Sequence, residues 1–326
     1  MKDIKSLIFG CVAAALGALS PAFSSAQVYP NKVVTIIVPY QAGGSIDAIA
    51  RPLATKLQKM WGQPVIVDNR PGANGMLATQ TLVRSPADGY TLLYHITGII
   101  QNHLLYKNVS YDAMKDVLPI FQIGGQSMGI AVSGKNPIAT LDQLVADGKA
   151  KGERGHSFGT VGVGHTGHIW SELLVSENKF KGVHVPYKGS GPVTIDLIGG
   201  QLDWAFVSSA EAIVRGTDQS LRILASTGTE RIKQLPNVAT MRELGYPGFE
   251  MTGWHGLFAP AGTPKAVISK IERDVRTALA DPEIQKILEM QAVQGDGLGS
   301  EAFAKVMRND QARWAELIKR FNIRAD

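Results

Sequence analysis

The 326-residue chain contains one cysteine, Cys11. A single thiol closes no internal disulfide and supplies no paired-thiolate metal or redox motif. After the first 26 residues no apolar run approaches the ~20 residues a helix needs to cross a bilayer. Neither sign of charge is concentrated: 33 Lys and Arg stand against 28 Asp and Glu for a net charge of +5. The basic residues are scattered, and no Lys/Arg run is interleaved with aromatics as a nucleic-acid surface would require. Internal repeats, low-complexity segments and the H-E-x-x-H zinc pattern are also missing. What remains is a mildly basic globular chain whose surface favours anionic solutes.

The N-terminus has the three parts of a secretory signal peptide: basic Lys2 and Lys5, an apolar stretch from Leu7 to Leu19, and Pro21 followed by Ser24-Ser25-Ala26. Cleavage is expected after Ala26, leaving Gln27 first, so residues 1–26 are read as a leader and the mature protein as soluble and periplasmic. Cys11 lies inside the leader. Ile8-Phe9-Gly10 is a poor lipobox and follows the basic residues too closely, which argues against lipid attachment there.

Roughly 300 mature residues exceed what one hydrophobic core usually fills, so two lobes are expected. Val33 to Val38 reads as a strand, Asp47 to Met60 as a helix, Pro64 to Val67 as a strand and Met76 to Val83 as a helix. This alternation predicts an α/β fold with a mainly parallel, buried sheet. Strands at 117–123 and 129–132 flank a Gly-Gly-Gln-Ser stretch where the chain is expected to cross between lobes. Residues 27–124 with 233–326 would form the first lobe and 125–232 the second. Pro264 to Leu279, Pro282 to Met290 and Glu301 to Phe321 read as three closing helices.

Several motifs could carry chemistry. Pro39 to Asp47 follows the first strand with a Gly-rich turn in which Ser45 can cap the next helix, and free N–H groups at such a start favour an anion. A purely structural strand-to-helix turn is the alternative reading of the same residues. Gly155-His156-Ser157-Phe158-Gly159 matches the hydrolase elbow G-x-S-x-G, with Asp203 and His255 following in triad order. The elbow needs a buried strand before it and a helix straight after it. Residues 149–154 are instead charged and 160–164 glycine-rich, so a secreted serine hydrolase is the alternative rather than the leading reading. Gly162-Val163-Gly164-His165-Thr166-Gly167 matches G-x-G-x-x-G, but no acidic residue follows at the distance a ribose contact needs. A bare anion-holding loop fits better than a dinucleotide site. His168 and Glu172 share one helix face and lack the further ligands of a metal site, so they read as a structural pair. No metal and no cofactor is expected. Lys188 and Trp254 could each face a solute or serve as surface and core.

Taken together, these turns resemble the Bug family, the TctC-type substrate-binding proteins of tripartite tricarboxylate transporters. The resemblance rests on PYQAGGSIDAIAR (39–51), NRPGANG (69–75), ADGYTLL (87–93), Tyr111-Asp112, Lys115-Asp116, Gly162 to Glu172, VPYKG (185–189) and GWHGLFAPAGTP (253–264). It implies a non-catalytic, two-lobed periplasmic-binding-protein-like (type II) fold, with two Rossmann-like lobes joined by crossing strands. Such a protein is expected to close on one small carboxylate and pass it, as a monomer, to transporter membrane subunits. The ligand-binding residues implied are Tyr40, Ala42, Gly43, Gly44, Ser45 and Asp47 in the first turn and Gly162, Val163, Gly164, His165 and Thr166 in the second. Thr97, Gly98, Ser127, Tyr187, Val207, Ser208 and Trp254 are implied as further walls. Family members often carry Asp-Asn where this chain has Val207-Ser208, and a small polar residue where it has His165. Those departures favour a plain or aromatic dicarboxylate, with His165 available to a second carboxylate.

Overall fold

The computed structural model describes residues 29–43, 45–187, 189–294 and 297–325. The expected leader with Cys11 therefore lies outside the described residues, as do Gly44, Lys188 and the side chain of Ser45. The chain clusters into a unit Met1–Asn31 and a unit Lys32–Asp326, and every element below belongs to the second.

Strand β1 (Val34–Val38) is a β-branched run buried at all positions but Thr35. Such a strand suits the middle of a sheet covered on both faces. It lies parallel to β2 (Val65–Asn69) on one side and β3 (Thr91–Ile96) on the other. Helices α1 (Ser45–Trp61), α2 (Met76–Val83) and α3 (Gly98–Leu105) follow these three strands in turn. Helix α1 carries Asp47 in its first turn and Lys59 in its last, the charge order that suits the helix dipole.

The chain then runs along β4 (Val117–Gln126) and, with only Ser127 between, enters β5 (Met128–Ser133) of a different sheet. That second sheet is built through α4 (Leu141–Ala150), β6 (His156–Thr160), α5 (Thr166–Asn178), β7 (Gly182–Pro186), α6 (Ser190–Ile198), β8 (Trp204–Ser208), α7 (Ser209–Thr217) and β9 (Leu221–Ser226). The chain returns to the first sheet as β10 (Gly253–Pro260). It ends with α8 (Lys265–Leu279), α9 (Pro282–Met290), the short β11 (Leu298–Gly299) and α10 (Ser300–Arg320). The strand orders are β11-β4-β10-β3-β1-β2 and β7-β6-β8-β5-β9.

The expectation of mainly parallel sheets needs correction. β10 runs antiparallel to β3 and β4, and β5 antiparallel to β8 and β9. The reason lies in the crossings. β1 to β4 share one direction in the first sheet and β6 to β9 share one in the second, whereas β5 and β10, which enter from the neighbouring sheet, and the short β11 run against them. The carboxyl ends of β1, β3, β4, β6 and β8 and the starts of β5 and β10 thereby face the same crevice.

Helix α10 packs against elements of both sheets. Its Phe303, buried completely, meets Trp254 edge-on at 5.0 Å between ring centroids, and its Trp314 lies 4.9 Å from Trp170 of α5. Truncating such an aromatic costs about 3–5 kcal/mol, so α10 is a main support of the wall that Trp254 belongs to.

Candidate binding cavity

The crevice holds a cavity of about 90 Å³. Its walls come from both sheets: Tyr40, Asn74, Ile96, Thr97, Gly98, Gln101, Gln126, Gly253, Trp254 and His255 from the first, Met128, His165, Thr166 and Ser208 from the second. Among the described residues no Lys, Arg, Asp or Glu lines it. Three helices begin at its edge: α3 after Thr97, α5 after His165 and α7 after Ser208. Unpaired N–H groups and the positive dipole end at such starts attract an anion without a charged side chain.

The hydroxyls sharpen that polarity. Thr97 Oγ1 accepts the Trp254 N–H at 2.9 Å, Ser208 Oγ accepts the Glu211 N–H at 3.2 Å, and Thr166 Oγ1 accepts from Gln101 Nε2 at 3.4 Å. Each oxygen is fixed by a bond it accepts, and none has an acceptor for its own hydrogen among the described residues. All three hydrogens are therefore available to a solute oxygen. The Gln101 contact also joins α3, which follows a strand of the first sheet, to α5, which follows a strand of the second.

Two imidazoles behave likewise. His165 Nδ1 accepts the Gly167 N–H at 3.3 Å, so the neutral ring carries its proton on Nε2. Burial, with His168 nearby, lowers its pKa to about 4. His255 Nδ1 lies 3.0 Å from the Tyr94 hydroxyl, and burial brings its pKa to about 4 as well. Both rings are neutral donors at ordinary pH. Ile96 and Met128 supply apolar wall between the polar groups, which suits methylenes.

The first turn is braced from behind. Asp47, 4 % exposed, accepts from Gly43 N–H at 3.0 Å and Arg51 Nε at 2.7 Å through one oxygen, and from Asn69 Nδ2 at 2.9 Å through the other. Asn69 Nδ2 also holds the Tyr40 carbonyl at 3.0 Å. Burial works to raise the Asp47 pKa, but the bonds from Arg51, Gly43 and Asn69 bring it below the ordinary carboxylate value. Its role is to position the loop that carries Tyr40.

Of the residues expected at the site, Tyr40, Thr97, Gly98, His165, Thr166, Ser208 and Trp254 line the cavity, while Ala42, Gly43, Asp47, Ser127, Gly162, Val163, Gly164, Tyr187 and Val207 do not. Val207 precedes Ser208 on β8, so its side chain takes the opposite face, where it is buried in an apolar cluster. The Tyr187 hydroxyl is committed to Asp196 at 2.6 Å. Gly164 N–H donates to His168 Nδ1 at 3.0 Å, so the loop before α5 is capped by its own histidines rather than bare. The His168–Glu172 contact, 3.5 Å, agrees with a local pair.

Sequence reasoning passed over Asn74, Ile96, Gln101, Gln126, Met128 and Gly253, and met His255 only as a triad candidate. The signal for Gln101 was present: a polar Gln-Asn-His run inside an apolar segment, of which Gln101 is 2 % exposed. Asn74 adopts a left-handed conformation, φ 51°, that asparagine tolerates better than most residues.

The hydrolase constellation does not assemble. Ser157 Oγ donates to Asp203 Oδ2 at 2.8 Å, where it joins the starts of β6 and β8, whereas His255 belongs to the other sheet and is bonded to Tyr94.

A family model described as "Tripartite tricarboxylate transporter family receptor", TctC, matches residues 49–323. The solved structure of the periplasmic binding protein BugD is 32% identical, with 91% of this chain and 99% of that one covered and a TM-score of 0.78. A Rhodopseudomonas palustris protein solved with adipate is 28% identical, with coverage of 91% and 99% and a TM-score of 0.81. MatC from Rhodopseudomonas palustris, solved with bound malate, is 25% identical, with coverage of 89% and 100% and a TM-score of 0.75.

Proposed function

The chain belongs to the TctC family of tripartite tricarboxylate transporter receptors, which are binding proteins and not enzymes, and on that premise we propose that its cavity captures a small dicarboxylate. The observation that carries the reading is the lining: hydroxyls and imidazoles set to donate, at three helix starts, with no charged side chain among the described residues. A carboxylate satisfies such donors, whereas a cation finds no counter-charge. Adipate and malate in two relatives support the class.

The proposal extends to the setting. The protein works in the periplasm after removal of residues 1–26, its halves (27–124 with 233–326, and 125–232) part and close around the solute, and transporter membrane subunits receive it. A solute that touches walls from both sheets binds better when they are together, and that differential contact is what drives closure.

The test is a thermal-shift panel of C4 to C6 dicarboxylates, benzoate and phthalate, amino acids and sugars. Dicarboxylates are expected to raise the melting temperature, and Thr166→Tyr to abolish the shift. A panel in which only amines or sugars stabilise the protein would refute the reading.

A further inference from the structure

We infer that His255 is a specificity residue of this cavity, its Nε2–H donating to one carboxylate of a dicarboxylate from the first-sheet wall while His165, Thr166 and Ser208 take the other. The inference rests on the dicarboxylate reading above and adds to it a residue and a selectivity.

His255 and Ile96 are cross-strand partners of β10 and β3, and both line the cavity. Tyr94, two residues before Ile96, shares its face of the sheet, which brings the phenol against the imidazole. Tyr94 is completely buried and burial keeps its hydroxyl protonated, so that hydrogen needs an acceptor. Nδ1 of His255, at 3.0 Å, is the acceptor it has among the described residues. A neutral imidazole that accepts at Nδ1 carries its proton at Nε2.

That Nε2 has no partner among the described residues, although His255 is only 2 % exposed. Leaving a buried donor unsatisfied is costly. The Tyr94 bond explains the orientation of the ring but gives Nε2 nothing. Nε2 is itself buried in the wall, so an oxygen of the solute would complete it after a small local shift of the ring or its neighbours. A site with a buried donor also discriminates sharply against analogues that lack the matching acceptor, because they leave the donor unpaired. The second carboxylate thus becomes a requirement.

The test measures calorimetric affinities of the full mature chain for the tightest of succinate, glutarate and adipate, and for its matched monoacid (butanoate, pentanoate or hexanoate). His255→Asn keeps a side-chain acceptor near Nδ1 for Tyr94 but cannot reach the Nε2 position; His255→Gln places an amide N–H there. The wild type should prefer the diacid by about tenfold or more. His255→Asn should lose most of that preference while binding the monoacid within about twofold of wild type, and His255→Gln should recover it. Imidazole ¹H–¹⁵N spectra should show Nε2 protonated in the free protein and its proton shifted on addition of the diacid. Equal weakening of diacid and monoacid by His255→Asn, or a proton on Nδ1, would overturn the inference and leave dicarboxylate binding intact. Failure of the wild type to bind any of these diacids would instead overturn the dicarboxylate reading, and this inference with it.

Discussion

Gly164, in the loop before α5, lies so close to Leu105 at the end of α3 that a Cβ at position 164 would sit 2.5 Å from the leucine Cδ1. The contact brings the two halves together at the cavity's edge, and Gly164 has φ +77°, where a side chain is strained in any case. Gly164→Ala is therefore expected to hold the halves apart and raise the dissociation constant by about tenfold or more. Calorimetric titration checks this. Adding Leu105→Ala removes the obstructing methyls and should restore part of the affinity, although it lowers stability by about 2–5 kcal/mol.

The Asp47 brace gives a second prediction. Asp47→Ala strips Gly43, Arg51 and Asn69 of a shared acceptor. Arg51 is half-exposed and can be solvated, so the loss of stability should be about 1–3 kcal/mol rather than that of a fully buried pair. Chemical denaturation measures it, and solute binding should weaken as the loop carrying Tyr40 loosens.

Stability should fall as pH drops from about 6.5 toward 4. His95 and His255 are held at about 4 by burial, so in that window the unfolded chain takes up protons that the folded chain refuses. Each contributes at most ~1.4 kcal/mol per pH unit. Asp310 opposes them: burial raises its carboxyl to about 6 from 3.8, despite the bond it accepts from Trp254 Nε1 at 2.9 Å. Its folded form binds the extra proton, so that contribution favours the fold at low pH and is lost as pH rises through 6. Asp310→Asn should therefore stabilise the protein at pH 7.5 by about 1–3 kcal/mol and steepen its loss of stability in acid. Melting temperatures across pH 4 to 8 check both signs.

Individual strands and several helices were legible in the sequence because their patterns are local, whereas the mixed direction of the sheets was not. The β-branched run of β1 and the helices 76–83 and 282–290 appear where the periodicity puts them. Helix α3 was not legible, because six of its eight residues are buried and no polar face gives a period. Helix α7 was obscured by Ser208, which read as a cavity wall although it is also the helix cap. The site was visible mainly through its turns. Asn74, Gln101 and Met128 line the cavity because distant strands and helices converge there, and that convergence leaves no mark on local spacing.

Ser157→Ala separates the binding reading from the hydrolase alternative. Ser157 Oγ both donates to Asp203 and accepts the Asp203 N–H at 3.0 Å. Its loss should cost about 1–2 kcal/mol of stability and leave solute affinity unchanged. Ester turnover in the wild type that vanished in the variant would speak for the alternative.

The central claim is that an uncharged cavity at helix starts holds a dicarboxylate. Isothermal titration of the mature protein with succinate, glutarate and adipate tests it most directly. The account predicts saturable one-to-one binding of at least one of them, with the matched monoacid weaker by about tenfold or more. No heat from any of the three, together with saturable binding of an uncharged or cationic solute, would contradict it.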